Sequence, residues 1–199
     1  MVNHAGRPLI VGLGGTVRPD STSETALVRA LAATKALGAE TALFGGAFMA
    51  GLPIYNPHAP GANGQRDRFL AAVRAADGVI IATPGYHGSI SGLVKNALDS
   101  LEGLRDDARP YFDGRAVGCI VAASGAQACG STLATLRSIV HALRGWPTPF
   151  GATLNTGAGA VGPGLFDDDG AFLNARDAWQ VETVAAQVMA FAGAFGARA

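Results

Sequence analysis

Residues 79–101, VIIATPGYHGSISGLVKNALDSL, constrain the fold more than any other stretch of the chain. They open on Val79, Ile80 and Ile81, a β-branched run suited to a strand buried on both faces. Thr83-Pro84-Gly85 predicts the end of that strand, because proline has no amide donor and glycine tolerates positive φ. A polar turn follows at Tyr86-His87-Gly88-Ser89, and a helix starts at or near Ser91. Leu93, Val94, Ala97, Leu98 and Leu101 recur at spacings of three and four, which gives that helix one apolar face. The unit of strand, polar turn and helix puts the turn at the carboxyl end of a sheet, where open α/β sheets bind ligands.

The same grammar repeats along the chain. Pro8 to Leu13 reads as the first strand, apolar throughout and therefore central, followed by a loop over 14–23. Ala26, Leu27, Ala30, Leu31 and Leu37 mark the first helix, closed by Gly38. Ser21 with Glu24 fits a capping box that starts this helix near Thr22. Glu40 to Phe44 is a second strand ended by Gly45-Gly46, and a long Pro- and Gly-bearing surface loop leads to a helix over Arg66–Ala76. Ala116 to Ala122 is the fourth strand, Ala123–Gly130 a turn, and Thr132–Leu143 a helix broken by Trp146-Pro147. Phe150–Leu154 is the fifth strand. A Gly-rich segment (157–164) and an acidic turn (Asp167–Gly170) precede a last helix over about Ala175–Phe195. Alternating strands and helices with right-handed crossovers dictate an α/β fold, a parallel sheet covered on both faces. Five strands favour the flavodoxin-like three-layer sandwich in order 2-1-3-4-5 over the six-stranded dinucleotide type. With a length that suits one domain and no internal repeat, residues 1–199 read as one domain.

Charge narrows the function classes. Lys plus Arg and Asp plus Glu both number 15, so the formal net charge is zero and no basic tract is present to hold nucleic acid. Neutrality also counts against a dedicated electron shuttle, which uses a charged face to steer docking. Cys119 and Cys129 are too few for a disulfide framework and read as buried thiols. His4, His58 and His141 are scattered, and no spacing suggests a metal site. A G-x-S-x-G nucleophile elbow is also missing. With no signal-like amino terminus and no apolar run near the ~18 residues of a membrane span, a cytoplasmic protein is expected.

The loop after the first strand carries Gly15-Thr16-x-Arg18-x-x-Ser21-x-Ser23. Val17 occupies the third glycine position of a dinucleotide fingerprint, and Phe44-Gly45 stands where an acidic residue would hold a ribose. A Walker loop fails as well, because no lysine is near. What remains is a loop rich in small and hydroxyl residues entering a helix amino terminus, a natural monophosphate site. Arg18 can fork onto the phosphate, and Thr16, Ser21 and Ser23 can supply hydroxyls. The same residues also admit a purely structural account, with Ser21 and Glu24 as helix caps and Arg18 as a solvated charge.

The run TPGYHGSISGLVKNALDSL resembles the flavin-ring loop of the NAD(P)H-dependent FMN reductases in its Thr-Pro-x-Tyr opening, Ser89, and the Lys-Asn-x-Leu-Asp of residues 95–99. The 15–23 loop is similar to the family's phosphate site, with Thr16 in place of the usual serine. The likeness extends over about residues 8–154. It implies bound FMN, with Thr16, Arg18, Ser21 and Ser23 at the phosphate. Pro84, Gly85, Tyr86, His87, Gly88 and Ser89 would lie against the ring, and Ser124, Gly125 and Gly130 on a second ring-edge loop, mostly through backbone. No side chain is expected to act as a catalytic group and no metal is implied, since the cofactor carries the chemistry. Backbone amides would stabilise the charge that gathers on the ring as hydride arrives. Several of these side chains have plainer readings too: Tyr86 capping the core, His87 facing solvent, Lys95 and Asp99 as an ion pair, Asn96 as a packing residue. The implied activity is ping-pong hydride transfer from NADPH or NADH to a small acceptor (free flavin, a quinone, an azo dye or a metal oxyanion). A flavin-dependent monooxygenase is a candidate partner. A flavodoxin-like electron carrier is the alternative. A homodimer or homotetramer is expected, on the grounds that Phe48, Met49, Leu52 and Ile54 would be exposed on a lone chain.

Overall fold

The structure, a computed structural model, describes residues 6–18, 20–58, 63–157 and 164–195. β1 (Leu9–Gly14), β2 (Glu40–Phe44), β3 (Gly78–Tyr86) and β5 (Ala116–Ala123) pair in parallel in the order β2-β1-β3-β5. The far edge holds two short strands, β6 (Trp146–Pro147) and β7 (Ala152–Asn155), both paired to β5. Together they occupy the fifth place, so the expected flavodoxin-like order 2-1-3-4-5 is realised with its last strand interrupted at 148–151. Trp146-Pro147 is thus part of the sheet and not merely the break after a helix.

Alternation of side chains along the strands divides the core in two. Val11, Leu13, Val79, Ile81, Val117, Cys119 and Val121 pack with α3 (Gly64–Ala75), α4 (Gly92–Asp99) and α5 (Ala126–Ala142). Ile10, Ile80, Ala82, Ile120 and Ala122 pack with α1 (Thr22–Ala36) and α6 (Ala175–Phe195). On this second face Gly12 and Gly118 flank Ile80 in register. A Cβ at Gly12 would lie 2.7 Å from Leu31 Cδ1, and one at Gly118 2.5 Å from Val184 Cγ1, so the two glycines bring the helices onto the sheet. Cys119 and Cys129 are both buried, and burial pushes the Cys119 thiol up to about 12.

Helix ends follow the sequence closely. Ser21 Oγ accepts the Glu24 amide at 3.3 Å, but only half of the expected capping box forms, because the Glu24 carboxylate turns instead to Gly46. Past the other end of α1, Gly38 takes φ 98° and its amide bonds Lys35 O. Ser91 Oγ caps α4 through the Val94 amide at 3.2 Å, and the Lys95–Asp99 ion pair forms at 2.7 Å along its exposed face. The turn expected over 123–130 is shorter than that, because α5 already begins at Ala126.

Three further departures concern loops. Thr83-Pro84-Gly85 does not stop β3, which runs on to Tyr86 and turns back through β4 (Ser89–Ile90) as a hairpin. Ala82 directs its carbonyl towards Gly15, so by alternation Pro84 faces the same side, where β1 has already ended at Gly14. The missing donor therefore costs no ladder bond. The long 45–63 loop contains a short helix, α2 (Gly46–Ala50). This helix inserts Met49, and Leu52 follows it into the core, while Phe48 packs edge-on to Phe44 at 4.8 Å. The exposure expected for Met49 and Leu52 is thereby overturned; of that set only Ile54 is strongly exposed, at 83%. Among the described residues no helix is long and apolar enough to cross a membrane.

At the amino edge of the sheet Arg115 is fully buried and spans four carbonyls: Ala76 and Arg74 at the end of α3, and Tyr111 and Asp113 in the preceding loop, at 2.8–3.2 Å. A cation against a helix carboxyl end is favourable, but burial lowers its pKa to about 10, so below that pH the charged form is retained at a constant desolvation cost. Arg115→Met is expected to destabilise the fold by about 3 kcal/mol, because four carbonyls lose a charged donor; urea unfolding measures it. The hairpin tip offers a second test. His87 (φ 52°) and Gly88 (φ 81°) form a two-residue turn with positive φ at both positions. Asparagine suits the first of these better than histidine, so His87→Asn should raise stability by about 0.5 kcal/mol, read as a higher melting temperature.

Candidate functional site

Strand register brings three turns side by side. β1 ends at Gly14 opposite Ala82, Pro84 of β3 lies opposite Ala122, and β5 ends at Ala123 opposite Asn155. The loops after β1, β3 and β5 therefore leave one sheet edge together, with the β3 hairpin in the middle.

In the first loop the Thr16 hydroxyl accepts the Arg18 amide at 3.1 Å, and the Arg18 side chain is exposed. Ser21 and Ser23 are buried beneath the loop, their hydroxyls 3.5 Å apart. The structural account of Ser21 as a helix cap is thus realised, and the polar side chains exposed on the loop are Arg18 and Asp20, with Thr16 half-buried. Gly14 and Gly15 adopt positive φ, and a Cβ on Gly14 would collide with Ala82 O, so the loop starts hard against β3.

In the hairpin, Pro84 is buried, Gly85 and Ser89 are half-buried, and Tyr86, His87 and Gly88 are exposed. The hairpin base is pinned by Thr83, a buried residue whose hydroxyl accepts the Ser91 amide at 3.1 Å and donates to Pro84 O at 3.0 Å. A Cβ at Gly85 would lie 2.8 Å from both Ala123 Cβ and Thr132 Oγ1, so only glycine lets the β3 and β5 ends close. Tyr86 is 53% exposed, more than a core cap would be.

The third turn is tighter than the sequence suggests. Ser124 is exposed and Gly125, at φ 102°, precedes α5, while Gly130 sits within that helix with open space beside it. The Gly125 amide is already donated to Asn155 Oδ1 at 2.8 Å, and the Gly157 amide reaches the same oxygen at 3.0 Å. Gly125 can thus offer a ligand its surface but not its amide. Asn155 holds the third turn yet escapes notice in the sequence, where a single polar residue at a strand end looks like any other; Thr83 is legible there only as part of the ring-loop motif, not as the pin of the hairpin base. Asn96 shows the same habit: its side chain accepts the Tyr55 amide at 2.8 Å and donates to Pro53 O at 3.1 Å, anchoring the 53–55 segment. A groove of about 650 Å³ lies elsewhere, between α3 and the 3-10 turn Ser100–Leu104, and includes none of the strand-end residues. Its lining is charged, with Arg66, Asp67, Arg74, Glu102 and Arg105, but it lies away from the sheet edge where the three turns meet, and the strand ends remain the better candidate.

The arrangement fits a ligand with an anionic end and a flat body. An exposed guanidinium and a helix amino terminus suit a phosphate, and glycine turns with an exposed tyrosine suit a planar ring. The chain is 43% identical over 75 residues to the FMN-dependent NADPH-azoreductase of Staphylococcus aureus (strain USA300), a match over 38% of this chain and 36% of the azoreductase. The chain thus spans about a third of the length of the curated relatives it matches. A solved NADH:FMN oxidoreductase superposes with a TM-score of 0.65 at 21% identity, covering 92% of this chain and 89% of that one. The flavodoxin of Streptococcus pneumonia TIGR4 superposes at 0.59 with 12% identity, covering 92% and 98%. These two likenesses speak for the fold. Residues 8–158 match the NADPH-dependent FMN reductase family, whose pattern therefore takes in all three turns, and the chain belongs to that family.

Proposed function

We propose that the chain is an FMN-dependent NAD(P)H oxidoreductase of the flavin-reductase type. The observation that carries this reading is the alignment of the three turns on one sheet edge, in a chain of this family. In it, Arg18 and the amino end of α1 take the FMN phosphate, with Thr16 and the buried Ser21 and Ser23 shaping the loop beneath. Pro84, Gly85, Tyr86, His87, Gly88 and Ser89 receive the ring, and Ser124, Gly125 and Gly130 bound its second edge. The chemistry supplied by bound FMN is hydride acceptance from NADPH or NADH and reduction of a second acceptor, in ping-pong order. The protein's own part is to orient the ring and shield one face of it; no side chain is assigned a proton transfer. Free flavin, quinones and azo compounds are the acceptor classes, and the curated azoreductase relative favours testing the last first. The reading treats the chain as one cytoplasmic domain that assembles into a homodimer or homotetramer, with Ile54 as the exposed apolar contact.

Titrating the FMN-loaded protein anaerobically with NADPH or NADH is expected to bleach the flavin absorbance. Persistent colour with both would leave the electron-carrier account in its place. Arg18→Ala is expected to weaken FMN binding by about 1.5 kcal/mol, roughly tenfold, because a charge-assisted fork is lost. Its effect on riboflavin, which lacks the phosphate, should be negligible by fluorescence titration.

A further inference from the structure

One side chain ties the start of α1 to the loop after β2 and lies against the loop after β1. Glu24 stands in the first turn of α1, where a capping box would fold its carboxylate back on Ser21. It leans sideways instead, and Oε2 accepts the Gly46 amide at 3.0 Å. The carboxylate lies so close to Gly15 and Gly45 that a Cβ on either would collide with it. A Cβ on Gly46 would in turn collide with the Thr16 carbonyl. Three glycines thus let two backbone segments converge on one carboxylate, while Val17 and Arg18 beyond the contact are exposed.

We infer that Glu24 is a positioning residue for phosphate recognition: it holds Gly15-Thr16 against Gly45-Gly46, so the loop is ordered before the ligand arrives. The inference rests on the FMN reading above. A carboxylate this near a phosphate loop is electrostatically unhelpful to an anion, so its presence there is explained by the tether and not by ligand contact. Without the tether, the cost of ordering the loop falls on binding.

Glutamine keeps an oxygen that can accept the Gly46 amide, aspartate keeps the charge but is a methylene too short, and alanine removes both. In flavin-free protein, the Gly46 amide should exchange hydrogen faster in Glu24→Ala and Glu24→Asp than in Glu24→Gln. Affinity for FMN should fall about tenfold in the alanine and aspartate variants and stay within about threefold in the glutamine variant. Affinity for riboflavin should hold in all three. Equal weakening of FMN and riboflavin in Glu24→Ala would mark a general structural defect and overturn the inference. So would a preference for FMN that survives Glu24→Ala but collapses in Arg18→Ala, which would leave the phosphate reading intact. A wild-type protein that binds FMN no better than riboflavin would remove the phosphate reading and this inference together.

Discussion

The pairing of β3 between β1 and β5 is the constraint from which the rest follows. A strand hydrogen-bonded on both sides and covered on both faces has to be apolar along its length, and Val79 to Ala82 meet that demand. Because the main strands run parallel, the connections between them cross over through helices, and each of β1, β2, β3 and β5 delivers its carboxyl end to the same edge. Register then decides which residues meet there. β3 outruns β1 by four residues, from Ala82 to Tyr86, and this overhang becomes the hairpin at the middle of the candidate site.

The two edges of the sheet are built on opposite principles. At the amino edge Arg115 closes the structure, filling the space between the end of α3 and the start of β5 and occupying four carbonyls. At the carboxyl edge glycines and short turns keep backbone close to the surface, and exposed Arg18, Tyr86 and His87 face outward. The amino edge is closed by a buried side chain, and the open edge is shaped by tethers. Those tethers share one device, a buried or half-buried polar side chain reaching across to backbone: Thr83 to Ser91, Asn155 to Gly125 and Gly157, Asn96 to the 53–55 segment, Glu24 to Gly46. Each satisfies amides that helices and strands leave over; Thr83 does so within one hairpin, while the other three join segments distant in sequence.

What could be read in advance was what depends on near neighbours. Ser21, Ser91 and Gly38 mark helix ends through contacts within a few residues, and all three do so. The β2 range and the long α6 followed from apolar runs and spacing. The β3 terminus was misjudged, since proline's effect there depends on where β1 happens to end. α2 was missed because a five-residue helix is held by the Phe44, Phe48 and Phe69 cluster and not by its own propensity. At the site, the first loop and the hairpin were legible as motifs. The use of the Gly125 amide by Asn155, 30 residues away, was not.

The sequence by itself determined the alternation of strand and helix, the buried character of the central strands, and the chemistry available in the loops after β1 and β3, because periodicity, capping and residue type are local properties. Only the tertiary structure decided which amides remain free at the sheet edge, how far β3 projects beyond its neighbours, and that Glu24 faces Gly46 and not Ser21. Those outcomes depend on register and on contacts between loops far apart in the chain, and they are settled when helices close onto a sheet whose glycines leave room for them.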